Sequence, residues 1–130
     1  MDDRITHALR TDRVIDMTTT GRASGQPRRL EMWFHDLDGA IYITGTPGSR
    51  DWYANLVANP RFTFHLKGSA TADLPAHATP ITDPAERRAI LARILTNIDR
   101  PASELETWVV ESPLVAVAFD EQTAQAAPRV

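Results

Sequence analysis

The chain has 130 residues, of which 42% are hydrophobic and 24% charged, and it carries a formal net charge of −3 with no cysteine. This composition is typical of one globular domain, residues 1–130, and it excludes disulfides, thiolate metal sites and cysteine nucleophiles. The acidic balance argues against a general nucleic-acid-binding protein, and no apolar run approaches the length of a membrane span.

The N-terminal segment, MDDRITHALRTDR, is acidic and then basic and has no apolar centre. It does not resemble a secretory signal, so a cytoplasmic location is expected. A short helix is predicted from Asp2 to Thr11, and loose order is expected for residues 1–12 and 121–130. Val14 to Thr20 is rich in β-branched residues and predicts the first strand.

A β-hairpin is predicted next along the chain. Apolar and polar side chains alternate from Pro27 to Leu37, which predicts a strand with one apolar face. The dipeptide Asp38-Gly39 then predicts a type I′ turn, because that turn needs two consecutive residues with positive φ. Ala40 to Gly45 is predicted as the returning strand.

A helix and two further strands are predicted after this hairpin. The segment RDWYANLVANP predicts a short helix that stops at Asn59-Pro60, because a residue before proline avoids the helical conformation. Arg61 to Lys67 alternates cleanly and predicts a strand. Ala70 to Ile81 predicts another strand, in which Pro75 indicates an edge or a bulge.

The clearest helix signal begins at Asp83, an N-cap residue that is followed by Pro84 and by Glu86 in capping-box spacing. Its apolar stripe consists of Ile90, Leu91, Ile94, Leu95 and Ile98. Pro101 ends the helix, and Pro113 to Phe119, apolar on both faces, predicts a central strand. About six mostly antiparallel strands with two or three helices indicate an α+β fold with a barrel-like sheet.

Several kinds of chemistry have no motif in this sequence. There is no GxxxxGK[ST] phosphate loop, no GxSxG nucleophile elbow and no third glycine to complete a dinucleotide fingerprint. The four histidines show no metal-ligand spacing, so no metal site is expected. His35 and His65 fall on the polar faces of their strands, where exposed side chains are expected.

The segment TTTGRASGQPRRLEMWF combines a turn with positive charge. Gly21 and Gly25 permit a tight turn, and Arg22, Arg28 and Arg29 have guanidinium groups that fit phosphate or carboxylate. Two interpretations stand at this point. The segment is either a solvated hairpin turn with free arginines or a grip on an anionic ligand.

A second cluster, TGTPGSRDWYANL, places a helix start after Gly48 and Ser49. The free N–H groups of that helix start are suited to an anion. Trp52 and Tyr53 either flank a planar ring or pack in the core, and aromatic residues more often pack in the core. Two such clusters beside one hairpin favour a shared pocket.

The two clusters, in this order, resemble the deazaflavin-dependent nitroreductase family. These proteins belong to the split β-barrel flavin- and deazaflavin-dependent oxidoreductases, which are related to pyridoxamine 5′-phosphate oxidase. The resemblance rests on TTTGRASGQPRR, on the hairpin from Trp33 to Gly39 and on DWYANLVANPRFTFHLKG, and it extends from Val14 to Phe119. It implies a split β-barrel and, as the ligand, coenzyme F(420), an 8-hydroxy-5-deazaflavin with a phosphate and an acidic oligoglutamate tail.

The resemblance also implies the site residues. The cofactor-binding positions carried over from the family are Arg22, Ser24, Gly25, Arg28, Met32, Trp33, Thr46, Gly48, Trp52, Asn55 and Leu56. The first four are expected to grip the phosphate and tail, and the others to border the ring, with Trp33 and Trp52 as opposite walls. Thr46 is the expected proton donor and the one catalytic residue.

The implied activity is hydride transfer from reduced coenzyme F(420) to an electron-poor small molecule such as an enone, a quinone or a nitro compound. Ala23 and Pro47 stand where the family commonly has lysines, and Glu31 replaces a family proline, which predicts weaker binding of a polyanion. Two alternatives therefore stay open: an FMN-dependent oxidoreductase of the same fold, and a non-catalytic carrier or sensor of a flavin or deazaflavin. A homodimer is also left open.

Overall fold

The computed structural model describes residues 2–120, which form a curled, seven-stranded antiparallel sheet and four α-helices. The strands are β1 (Val14–Thr20), β2 (Pro27–Trp33), β3 (His35–Leu37), β4 (Ala40–Thr44), β5 (Arg61–Lys67), β6 (Thr71–Pro80) and β7 (Leu114–Phe119). The helices are α1 (Asp3–Thr11), α2 (Asp51–Ala58), α3 (Pro84–Asn97) and α4 (Leu105–Glu111). Neighbouring strands follow the order β2-β1-β5-β6-β7-β4-β3.

Side-chain alternation along the strands separates two hydrophobic cores. The first core lies on the concave side of the sheet and includes Ile15, Phe64 and, from α2, Trp52. The second core lies where α3 and α4 pack against β3, β4 and β7, and it includes Trp108 and Leu114. The part of the convex face formed by β2, β1 and β5 is not covered by these helices and carries polar side chains.

The α+β class and the antiparallel, barrel-like sheet are confirmed, but the element counts differ from the prediction. The segment predicted as one strand from Pro27 to Leu37 is two strands, because β2 pairs with β1 up to Trp33 whereas β3, from His35, pairs with β4. The Phe34 N–H donates to the Arg13 carbonyl, and the Phe34 ring packs edge-on against Phe64 with centroids 5.2 Å apart. Core packing of one ring therefore divides the strand.

Helix α4 is absent from the prediction, and so are the three residues of 3₁₀ helix before it, Ala102–Glu104. The sequence of α4, LETWVVE, is seven residues long and offers too few turns for a clear helical period. Its buried residues, Trp108 and Val109, belong to the second core. Tertiary packing therefore stabilises α4, a helix that the local sequence pattern does not predict.

Local signals with a specific backbone requirement are confirmed. Asp38 and Gly39 have φ values of 56° and 94°, as the predicted hairpin turn requires. Asp83 accepts the backbone N–H of Glu86 at 2.9 Å, and α3 begins at Pro84. β7 lies between β6 and β4, as its two apolar faces predict.

The N-terminal segment forms the predicted short helix rather than a loosely ordered stretch. Asp2 caps α1 by accepting the Arg4 N–H at 2.7 Å, and Ala8 is fully buried against the first core. The loose order predicted for residues 121–130 lies outside the described residues. Within residues 2–120, no helix is long and apolar enough to cross a membrane.

The convex face holds a network of charged side chains. The Asp16 carboxylate accepts from Lys67 Nζ at 2.7 Å and from Arg29 Nε at 3.1 Å, and Lys67 also contacts Glu31. The hydrogen bond from Lys67, followed by that from Arg29, holds the pKa of Asp16 below its usual value. The side chains of Arg29 and Glu31 therefore form ion pairs on the face of β2 opposite the first core.

His65 on the same face is buried, contrary to the expectation that it is exposed. Only 7% of the residue is accessible, because Thr18 and Asp73 flank it on the neighbouring strands. Its ring nitrogens lie 2.7 Å from Thr18 Oγ1 and 2.7 Å from Asp73 Oδ1. Two polar neighbours therefore satisfy a histidine that an isolated strand would leave in water.

Candidate functional site

A cavity of about 450 Å³ opens between the loop of residues 21–26 and the first turn of α2. We call it the first cavity. Its walls are formed by Thr19, Gly21, Arg22, Ala23, Ser24, Arg28, Arg29, Leu30, Asp51, Trp52 and Asn55. Five of the predicted cofactor-binding residues meet here: Arg22, Ser24, Arg28, Trp52 and Asn55.

The 21–26 loop is tightly folded. The Gly21 N–H donates to the Gln26 carbonyl, and Ser24 Oγ accepts the Gln26 N–H at 3.1 Å. A Cβ at Gly21 would lie 2.7 Å from Ser24 Oγ, so a side chain here would displace the Ser24 hydroxyl. Gly25 has a φ of 70° and faces open space. The glycines thus shape the loop, as the turn composition predicts.

Arg22 joins this loop to α2. Its backbone N–H and its Nη1 both donate to Asn55 Oδ1, at 3.0 and 2.8 Å, and its Nη2 lies 3.3 Å from Asp51 Oδ1. Asn55 is buried and Arg22 is exposed, so this double hydrogen bond is partly shielded from solvent. Arg22 and Asn55 therefore fix the cavity wall, and Asp51 offsets part of the Arg22 charge.

Arg28 differs from Arg22 because it has no hydrogen-bond or ion-pair partner within residues 2–120. It is exposed and lies on β2 opposite Thr19 of β1. Thr19 Oγ1 is buried and likewise has no partner in the described chain. A free guanidinium beside an unpaired hydroxyl provides donors for an anionic group.

The two tryptophans predicted as opposite walls lie on opposite sides of the sheet. Trp52 is 5% exposed, packs in the first core and borders the first cavity. Trp33 is 50% exposed at the far end of β2, with the Arg13 guanidinium 6.0 Å from its ring centroid. β-strand side chains alternate, so Trp33 shares its face with Glu31 rather than with Arg28.

The other predicted residues lie outside the first cavity. Met32 is half-buried against the first core, and Leu56 is buried within it. Thr46 is exposed, and its Oγ1 accepts from Arg50 Nη2 at 2.7 Å. Gly48, with a φ of 129°, borders a different cavity.

This second cavity, of about 600 Å³, lies on the other side of the first turn of α2. Its walls are formed by Gly48, Ser49, Arg50, Tyr53, Ala54, Ile81, Thr82, Arg87, Val110, Glu111, Ser112 and Pro113. Sequence reasoning did not assign Arg50 or Arg87. The sequence did contain a signal for Arg87. It lies three and four residues before Ile90 and Leu91 and so falls on the apolar stripe of α3, where a charged side chain needs buried hydrogen-bond partners.

The departures from the family pattern fall in different environments. Ala23 borders the first cavity, so the lysine of the family is missing from the cavity itself. Glu31 contacts Lys67 on the convex face. Its carboxylate is therefore neutralised away from the cavity, and the predicted weakening of anion binding applies to Ala23 rather than to Glu31.

His35 is half-buried in β3 rather than exposed as expected. Burial, followed by the nearby Arg13 charge, lowers its pKa to about 4. Its imidazole is therefore neutral near pH 7, and it borders neither cavity.

Comparison with known proteins gives a family match and fold matches. The model of the family described as F(420)H(2)-dependent quinone reductase matches residues 1–117. A conserved hypothetical protein from Mycobacterium tuberculosis superposes with a TM-score of 0.70 at 20% identity, covering 92% of this chain and 81% of that one.

Two further solved structures share the fold. One is named F(420) reductase, with a TM-score of 0.64 at 18% identity, covering 92% of this chain and 95% of that chain. The other is a Listeria innocua protein named after pyridoxamine 5′-phosphate oxidase, with a TM-score of 0.65 at 12% identity and coverage of 91% and 92%. At these identities the structural matches establish the fold alone.

Proposed function

The chain belongs to the F(420)H(2)-dependent quinone reductase family and is a deazaflavin-dependent oxidoreductase, and we propose that it carries hydride from reduced coenzyme F(420) to an electron-poor organic acceptor. Enones, quinones and nitro compounds are the acceptor classes proposed. The coenzyme, when bound, supplies the hydride, so the protein has to supply binding, orientation and a proton.

The observation that carries the proposal is the pair formed by Arg28 and Thr19 in the first cavity. Both side chains lack a partner within residues 2–120 although their cavity is large enough for a small molecule. Arg28 is proposed to bind the phosphate or acidic tail, assisted by the Ser24 hydroxyl. Trp52 is proposed to supply an apolar wall for the ring, and Arg22 and Asn55 to keep the loop in place.

Thr46, which is exposed and borders neither cavity, is proposed as the proton donor to the acceptor, with water as the alternative. Its Oγ1 accepts a hydrogen bond from Arg50, and its backbone carbonyl accepts from the same guanidinium at 3.0 Å. A hydroxyl whose acceptor side faces a cation still has its own hydrogen to donate. Arg50 therefore orients Thr46, and Thr46→Val tests whether the proton comes from this hydroxyl or from water.

The two alternatives make different demands on the first cavity. FMN has a phosphate but no oligoglutamate tail, so it needs fewer cations, and Ala23 in place of the family lysine favours it. A carrier or sensor needs binding without an open ring face. The visible spectrum of chromophore co-purified with the full chain distinguishes a deazaflavin from an isoalloxazine.

The decisive experiment measures binding and turnover separately. Arg28→Ala is expected to weaken coenzyme F(420) binding by about 1.5–3 kcal/mol, because a charge-assisted contact is lost, while the fold is unaffected. Arg93→Ala, which removes an equal charge on α3 beside Asp38, is the matched control and leaves affinity unchanged. Equal affinities in both variants would reject the first cavity as the anion grip.

Turnover is followed by oxidation of the reduced coenzyme with a panel of enones, quinones and nitroaromatics. Protein-dependent oxidation of at least one class is expected. Tight binding without oxidation across the panel would favour the carrier. The sequence left a homodimer open, and light scattering of the full chain tests for it.

A further inference from the structure

The second cavity contains two guanidinium groups that no carboxylate neutralises. Arg87 and Arg50 border it, and neither forms an ion pair with a carboxylate of residues 2–120. Elsewhere in the described chain, most arginines with hydrogen bonds use a carboxylate, as Arg88 does with Glu106. The positive charge of the second cavity is therefore retained.

Arg87 is held entirely by backbone carbonyl groups. Its Nε donates to Val109 O at 2.7 Å, its Nη1 to Ile81 O at 2.8 Å, and its Nη2 to Ser112 O. Only 8% of the residue is exposed. Carbonyl oxygens satisfy the hydrogen bonds of the guanidinium without removing its formal positive charge.

Arg50 is held in the same way at the opposite wall. Its donors contact the carbonyls of Thr46 and Ser49 and the Thr46 hydroxyl. A guanidinium has five N–H groups, so within the described residues Arg50 keeps two N–H groups without a partner, whereas Arg87, whose Nη2 also donates to Trp108 O at 3.4 Å, keeps one. Ser112 Oγ, in the same wall, is buried without a partner in the described chain. The cavity thus combines unused donors with unneutralised charge.

The other charged groups near the cavity are few. Glu111 is exposed at its wall and makes no hydrogen bond or ion pair from its carboxylate within the described residues. Asp51, on the same turn of α2, contacts Arg22 across the helix instead. Apolar groups complete the walls and rim, among them Tyr53, Ile81 and Val110, the last 78% exposed.

We propose that the second cavity binds a small organic carboxylate with an apolar body. The arginines supply the charge and the fork-shaped donors that a carboxylate accepts, and Tyr53, Ile81 and Val110 contact the apolar part. A volume of about 600 Å³ is within the range of small-molecule sites. The site shares no lining residue with the first cavity, although its Arg50 also contacts Thr46, the proposed proton donor.

The test uses the full chain with benzoate, benzamide and inorganic phosphate as probes. Calorimetry gives the affinities, and the amide signals of Gly48 and Ser49 report the location by nuclear magnetic resonance. Benzoate is expected to shift these signals and to bind about tenfold or more tightly than benzamide, the neutral isostere. Phosphate is expected to bind more weakly than benzoate, because it has no apolar part.

Variants separate the site from the fold. Arg50→Gln is expected to weaken benzoate binding about tenfold, whereas Arg93→Gln on α3 leaves it unchanged, and Glu111→Gln tightens it. Arg50→Gln is preferred to a change at Arg87, whose carbonyl contacts support the fold. Equal binding of benzoate and benzamide, or an unaffected Arg50→Gln variant, would overturn the proposal. Phosphate binding as tight as benzoate would overturn the assignment to an organic ligand.

Discussion

The two cavities on either side of α2 hold their arginines in different ways. In the first cavity, Arg28 is exposed and has no partner among residues 2–120, and Arg22 contacts both an amide and a carboxylate. In the second cavity, Arg50 and Arg87 are held by carbonyl and hydroxyl oxygens. Arg28, which is exposed on β2, is expected to be removable at little cost in stability, whereas the buried Arg87 is part of the fold.

This difference shows that a cavity with binding groups can form with or without a short sequence motif. The first cavity is indicated in the sequence by a glycine-arginine segment whose residues are close together. The second cavity gathers residues from the loop before α2, from α3 and from the segment after α4, and no short motif spans them. Four predictions test how far the two cavities differ.

The largest expected effect is at Arg87. Arg87→Met keeps the aliphatic stem but leaves the carbonyls of Ile81 and Val109 without their donor, so we expect a loss of about 3–5 kcal/mol in unfolding free energy. Arg28→Met, the counterpart in the first cavity, is expected to change stability by less than about 0.5 kcal/mol. Chemical denaturation measures both. Similar losses of unfolding free energy in the two variants would contradict the proposed difference between the cavities.

The second prediction concerns the walls of the first cavity. Trp52→Ala is expected to cost about 3–5 kcal/mol of stability, because it empties part of the first core. Trp33→Ala, on the convex face, is expected to cost less than about 1 kcal/mol and to leave coenzyme affinity unchanged. A marked loss of coenzyme affinity in Trp33→Ala would instead indicate that Trp33 contacts the coenzyme, as its position in the family motif implies.

The third prediction concerns how the stability of the fold depends on pH. It therefore gives the pH range in which variants of the two cavities can be compared. His35 has a folded-state pKa of about 4, so between about pH 6.5 and pH 4 the unfolded chain binds a proton that the folded chain does not. Stability from this group is full above about pH 6.5 and falls by up to about 3 kcal/mol as the pH drops to 4. His35→Asn is expected to flatten that part of the profile, and an unchanged slope would contradict it.

The smallest effect is expected at Ala23. Ala23→Lys adds a cation to the wall of the first cavity and is expected to tighten coenzyme F(420) binding by about 1 kcal/mol, with a smaller gain at high salt. Ala89→Lys adds the same charge on the exposed surface of α3 and is the control. A gain equal in both variants would indicate a general charge effect rather than a contact in the cavity.

The sequence by itself determined the features that depend on neighbouring residues. The period of two in Arg61–Lys67 specifies a strand, the Asp38-Gly39 pair specifies a turn with positive φ, and Asp83 with Pro84 specifies a helix start. The paired motifs around Arg22 and Asp51 were sufficient to identify the family. Each of these signals is carried by residues a few positions apart.

Only the tertiary structure decided which side chains share a space. The pairing of β5 with both β1 and β6 buries His65, and the break at Phe34 separates the two parts of a predicted strand. The alternation of side chains along β2 places Trp33 on the face opposite Trp52. Arg87 reaches carbonyls up to 25 positions further along the chain. These contacts arise from the curl of the sheet and the packing of α3 and α4, and a side chain's neighbours across the sheet are not encoded by the residues beside it.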